Sequence, residues 1–169
     1  MRILTRSLTL AAAGAAAAMA LPAPAMADEI SCRGSIGTRT IDGDIAVPAG
    51  ASCVLSGTVV KGNVKVYRGA SLRASGIRVD GNIQGENHRS VQVSGASRVD
   101  GNIQLKQGGS ASINGVRVNG DIQLFSNRGT QRVTRNRVDG NLQCKSNVPA
   151  PTGGQNIVEG NKEDQCRAL

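Results

Sequence analysis

Asp100-Gly101-Asn102-Ile103-Gln104-Leu105 returns as Asn119-Gly120-Asp121-Ile122-Gln123-Leu124, and again as Asp139-Gly140-Asn141-Leu142-Gln143-Cys144. Earlier copies are Asp42-Gly43-Asp44-Ile45, Lys61-Gly62-Asn63-Val64 and Asp80-Gly81-Asn82-Ile83, and a degenerate last copy is Glu159-Gly160-Asn161-Lys162. The seven motif glycines fall at 43, 62, 81, 101, 120, 140 and 160, spaced 19, 19, 20, 19, 20 and 20 residues apart. A period this regular, near 20 residues, marks a solenoid, in which each repeat buries its apolar side by stacking on the next.

The residues around each glycine alternate. Val79, Val99, Val118, Val138 and Val158 stand two before it, Ile83, Ile103, Ile122 and Leu142 two after, with Leu105, Leu124 and Cys144 two further on. Period-two alternation means strands with one face inward. Val93, Ile113 and Val133 mark another strand in each repeat. Asp-Gly between alternating apolar residues is also a hairpin signal, so an antiparallel sandwich or barrel competes. Those folds do not require matching residues every 19 or 20 positions, whereas a coil stacked at the strand spacing of about 4.8 Å does. The expected fold is all-β, a single-stranded parallel β-helix solenoid of about six to seven coils of 19–20 residues. The hexapeptide period of the left-handed form is absent, which favours the right-handed one, and the calcium-binding glycine-rich nonapeptide is absent too. The motif glycine is expected to supply positive φ at a sharp turn. The Asn or Asp after it, present in all seven copies, is expected to form a stacked ladder bonded to itself and to the turn backbone.

With this pattern the chain resembles the secreted bacterial right-handed parallel β-helix proteins and, more loosely, the bactofilin-like ones with short glycine-punctuated coils. Its end, Gly140-Asn141-Leu142-Gln143-Cys144 through Asn156, Gly160-Asn161 and Gln165-Cys166, is similar to the C-termini of secreted bacterial proteins. The resemblance implies an architecture and specifies no reaction. Bactofilins are typically cytoplasmic and poor in cysteine, and this chain departs from them on both points.

Residues 1–27 read as a secretory signal peptide. Arg2 and Arg6 form a basic start, an uncharged Ala/Leu-rich run extends from Leu8 to Leu21, Pro22 and Pro24 break it, and Ala25-Met26-Ala27 offers a cleavage site. The run is shorter than the about 20 residues a membrane span needs, so no span is expected in the mature form. The remaining 28–169 is the size of one domain. Without Arg2 and Arg6 it keeps 18 basic and 12 acidic residues, a formal charge of +6. The whole sequence holds one Tyr, one Phe and no Trp, so the core must be built from Val, Ile, Leu and Ala, which suits a narrow stacked interior. Four cysteines behind a secretory leader read as disulfides. Cys32 and Cys53 are 21 apart and Cys144 and Cys166 are 22 apart, about one coil. Residues one coil apart lie within disulfide reach, so each pair is expected to tie an end coil to its neighbour. The stretch Pro149-Ala150-Pro151-Thr152-Gly153-Gly154 reads as a loop before the last coil.

Two surface patterns bear on function. Arg78, Arg98, Arg117 and Arg137 stand two before Asp80, Asp100, Asn119 and Asp139, hence on the same side of a strand; they are expected to neutralise one another on a solvated surface. A Gln row follows at 84, 104, 123 and 143. The second pattern is basic. Arg68, Arg89, Lys106, Arg128 and Lys145 recur at a similar phase of successive coils, with Lys65 and His88 counted in the same strip and Glu86 the one close acid. These five are the candidate binding residues, for an anionic cell-wall polymer or an acidic polysaccharide. No catalytic residue, metal ligand or cofactor is expected. The acids are locked in a regular ladder rather than paired in a cleft, and His88 has no cysteine near it. Nucleic acid is disfavoured by export and by the lack of stacking aromatics. The oligomeric state cannot be read. The expected role is a secreted, extracellular or periplasmic, non-enzymatic structural or interaction module at the cell envelope. The alternative is a polysaccharide-binding or pectate-lyase-like polysaccharide-cleaving protein.

Overall fold

A computed structural model describes residues 29–169. The secretory segment read over residues 1–27 lies outside the described residues. The rest winds through about seven coils, three strands to a coil, and every strand pairs in parallel with its equivalent one coil away.

Three sheets result. The first face holds eight strands: Glu29–Ser31, Asp44–Val47, Val64–Val66, Ile83–Glu86, Ile103–Lys106, Ile122–Phe125, Leu142–Lys145 and Lys162–Asp164. The second holds Gly34–Ile36, Ser52–Ser56, Ser71–Ser75, Ser90–Ser94, Ser110–Asn114, Gln131–Thr134 and Thr152–Gly154. The third holds seven two-residue strands, from Thr40–Ile41 and Val59–Val60 through four Arg-Val pairs to Ile157–Val158.

Alternation decides what is buried. Ile83, Ile103, Ile122 and Leu142 stack in register on the first face. Val93, Ile113 and Val133 stack on the second, and Val79, Val99, Val118 and Val138 on the third. All are fully buried. The described core contains no Phe, Tyr or Trp ring: Tyr67 is exposed and Phe125 half-buried.

The motif glycines form a column, each N–H bonding to the carbonyl of its equivalent one coil earlier, as Gly81 to Gly62 and Gly101 to Gly81. The reason for glycine differs from the expected one. None of these glycines has positive φ. What excludes a side chain is the coil below: a Cβ on Gly101 would lie 2.5 Å from Asn82 Oδ1 and 2.7 Å from the Gly81 carbonyl oxygen. Positive φ falls instead at the other two corners, at Gly57, Gly76, Gly95 and Gly115 between the second and third faces and at Gly50, Gly69, Asn87, Gln107, Ser126 and Ser146 between the first and second.

The stacked amides behave as expected. The backbone N–H of Asn63 donates to Asp44 Oδ1 (2.7 Å), that of Asn82 to Asn63 Oδ1 (2.9 Å), and that of Asn102 to Asn82 Oδ1 (2.8 Å). Buried ladders line the other corners in the C-terminal coils. Asn147 Oδ1 accepts from the Asn127 N–H, and Asn156 Oδ1 from the Asn136 N–H. The Asn127 and Asn136 amides donate onward to the carbonyls of Leu105 and Ile113. These bonds satisfy turn donors that no strand ladder reaches.

Both disulfides sit near the ends, Cys32–Cys53 with 5.6 Å and Cys144–Cys166 with 5.2 Å between Cα atoms. The stretch read as a loop over residues 149–154 is shorter than that. Thr152–Gly154 pairs with Arg132–Thr134 and completes the second face, because Gly153 and Gly154 pair there with φ of +143° and +145°, a backbone open to glycine and rarely to other residues.

Candidate functional site

The arginines of the third face are engaged. Arg78 bonds Asp80 (2.9 Å) and Asp100 (2.7 Å), and Arg98 bonds Asp100 (2.6 Å). Where Asn119 replaces an acid, Arg117 reaches one coil on to Asp139 (3.1 Å), and Arg137 pairs with Asp139 (3.6 Å) and Glu159. Hydrogen bonds from Arg78 and Lys61 hold the Asp80 carboxyl below the usual carboxylate range. At the N-terminal end of the first face, Lys65 bridges Glu29 (2.9 Å) and Asp44 (2.8 Å). Partial burial pushes the Asp44 carboxyl up. The Asn63 N–H and Lys65 outweigh that, and the net shift is downward.

The five candidate residues gather along one margin. Arg68, Arg89 and Arg128 occupy the corner joining the first face to the second, and Lys106 and Lys145 end first-face strands at that corner. Glu86, Lys106, Phe125 and Lys145 are successive rungs of one column. All five cations are exposed. Among the described residues none of them makes an ion pair.

His88, counted in the same strip from the sequence, is not in it. It is 2 % exposed. Its ring fills space left by two glycines: a Cβ on Gly108 would collide with it, and one on Gly85 would lie 3.0 Å from its Nδ1. Neither ring nitrogen has a hydrogen-bond partner. Burial pushes its pKa below the ordinary histidine value, and the Gly85 backbone opposes this only in part.

Sequence reasoning missed the outward side of the second face. Its middle column runs Val54, Arg73, Gln92, Ser112, Arg132, Thr152. Beside it run Ser52, Ser71, Ser90 and Ser110 in register, and on the other side Ser56, Ser75 and Ser94. No acid lies in any strand of this face. The described acids lie on the first face or at the corner between the third face and the first. Arg73 and Arg132 are exposed and make no ion pair among the described residues. The signal was present in Ser71-x-Arg73-x-Ser75, which repeats as Ser90-x-Gln92-x-Ser94 nineteen residues on.

Hollows are shallow. One of about 350 Å³ lies on the first face beside Tyr67, Gln84, Gln104 and Lys106. Among the described residues no His, Cys, Asp and Glu side chains cluster as a metal site, and no helix is long and apolar enough to cross a membrane. Comparison with protein-family models, with curated proteins and with solved structures finds no match to this chain.

Proposed function

We propose that this chain is an exported, non-catalytic β-solenoid that serves outside the cytoplasm as a structural or interaction module of the cell envelope and holds anionic polymers along its basic margin. The observation that carries this reading is the contrast between two sets of cations. Those of the third face are neutralised by carboxylates one coil apart, while Arg68, Arg89, Lys106, Arg128 and Lys145 stand exposed without a carboxylate partner among the described residues. Two disulfides and no free cysteine suit an oxidising compartment. Motif carboxylates such as Asp44 and Asp121 are engaged in backbone hydrogen bonds, an arrangement that serves stacking.

Each exposed contact is weak, so affinity comes from several together. Retention of the full chain on immobilised anionic cell-wall polymer should fall steeply with salt, over the range where the Debye length shrinks from about 10 Å to about 3 Å. Lys106→Glu with Arg128→Glu should abolish retention and leave the melting temperature nearly unchanged. Arg98→Glu with Arg137→Glu should lower stability more than retention. Absence of salt-sensitive retention on every anionic polymer tried would overturn the proposal.

A further inference from the structure

We infer that the second face is the bed for the polymer, and that the polymer is a linear acidic polysaccharide of the uronic-acid type lying along the solenoid axis. This rests on the polyanion reading above and extends it from the margin to a face. Three observations support it. First, three shallow depressions of about 200, 200 and 320 Å³ follow one another along this face; Arg73 borders the first and Arg132 the second and third. Second, the strands of this face carry Arg73 and Arg132 and no acid, so a polyanion meets attraction and no opposing carboxylate. Third, apart from the exposed Val54 at the N-terminal end, most of the outward groups are hydroxyls and amides in registered columns: Ser71, Ser90 and Ser110, then Gln92 and Ser112, then Ser75 and Ser94. Hydroxyls and amides can both donate and accept, which matches sugar hydroxyls.

The dimensions agree. Arg73 and Arg132 are three rungs apart in one column, about 14 Å at the parallel-strand spacing. A pyranose in an extended chain advances by close to one rung, so carboxylates on the first and about the fourth sugar reach both guanidinium groups. Guanidinium presents a planar fork that matches a carboxylate. No aromatic ring lies in the strands of this face, so it lacks the stacking platforms that hold neutral sugars or bases.

The test titrates the full chain with oligogalacturonates of defined length, with neutral dextran and inorganic polyphosphate as comparison probes. Affinity should step up when the oligomer reaches about four sugars. Arg73→Gln with Arg132→Gln should weaken binding about five- to tenfold with an unchanged melting curve. Ser90→Val with Ser110→Val, a change strands accept, should weaken oligogalacturonate and spare polyphosphate. Two outcomes overturn the inference and leave the margin standing: oligogalacturonate binding unaffected by the Arg73 and Arg132 changes but lost with Lys106→Glu and Arg128→Glu, or polyphosphate binding as tightly as oligogalacturonate of equal charge. Neutral dextran binding equally well overturns both readings. If no anionic probe binds, the polyanion reading itself fails.

Discussion

Replacing Gly101 and Gly115 separately by alanine distinguishes two reasons for glycine. Gly101 lacks positive φ, and an added Cβ would lie 2.5 Å from Asn82 Oδ1 and 2.7 Å from the Gly81 carbonyl oxygen. The coil beneath cannot retreat freely. Gly101 N–H is bonded to that carbonyl (3.0 Å), and Asn102 N–H is bonded to the same Asn82 oxygen (2.8 Å). Overpacking a fixed contact costs about 1–3 kcal/mol, and each hydrogen bond strained or lost adds about 0.5–1.5 kcal/mol. Gly101→Ala should therefore destabilise by about 2–5 kcal/mol. Gly115 has φ +64° and open space where a Cβ would go. Only left-handed strain remains, so Gly115→Ala should cost about 1–2 kcal/mol. Asparagine makes the contrast sharper. At Gly115 it should cost less than alanine, because it tolerates the left-handed region. At Gly101 it should cost more, because it is larger. Urea unfolding of the oxidised protein, followed by far-ultraviolet circular dichroism, gives the four values from midpoints at constant slope. If alanine and asparagine rank in the same order at both positions, or Gly101→Ala is the milder alanine change, the close-approach explanation is wrong.

Two further predictions concern the interior. Ile103, stacked between Ile83 and Ile122 and fully buried, should cost about 2–5 kcal/mol when changed to alanine, whereas Gln104→Ala, at the neighbouring half-buried position, should cost under about 1 kcal/mol; equal costs in urea melts would refute the inward assignment. His88 should make stability depend on pH. Its folded pKa lies below the unfolded value of about 6.5, so its contribution is complete above that value and is lost as pH falls toward the folded pKa, by at most about 1.4 kcal/mol per pH unit. His88→Gln should flatten the urea midpoint between pH 7 and 5, and an unchanged slope would show that the ring is not the titrating group. Asp44 and Asp80, whose carboxyl pKa values are lowered, lose their contribution at more acid pH, below the ordinary carboxylate range, so the two windows are separable.

The fold was legible because a solenoid writes its geometry as a period. The motif column, the buried Val and Ile columns and both disulfides follow from residues recurring one coil apart. Three readings failed for physical reasons that a period does not carry. Spacing places Gly101 in a column but does not say whether backbone dihedral or the coil beneath forbids a side chain. Composition made Thr152-Gly153-Gly154 look like loop, although it pairs with Arg132–Thr134 as a strand. His88 looked basic and exposed because its neighbours Glu86, Asn87 and Arg89 are exposed. The glycines that make room for it, Gly85 and Gly108, lie three positions before it and one coil after it, and only the folded stack brings them together.

The surface was harder to read because charge along the chain is not charge on a face. Counted by residue number, Arg73 and Arg132 are 59 residues apart; counted by rung, they share a column with no acid in its sheet. Local pairing gives that segregation electrostatic meaning. The acids at the corner of the third and first faces are held against arginines that offset their charge, and they lie at the corner opposite the second face. A polymer on the second face therefore responds to Arg73, Arg132 and the margin cations far more than to the carboxylates behind the core. Glu86 is placed to interfere, since it stands one rung from Lys106 on the margin column.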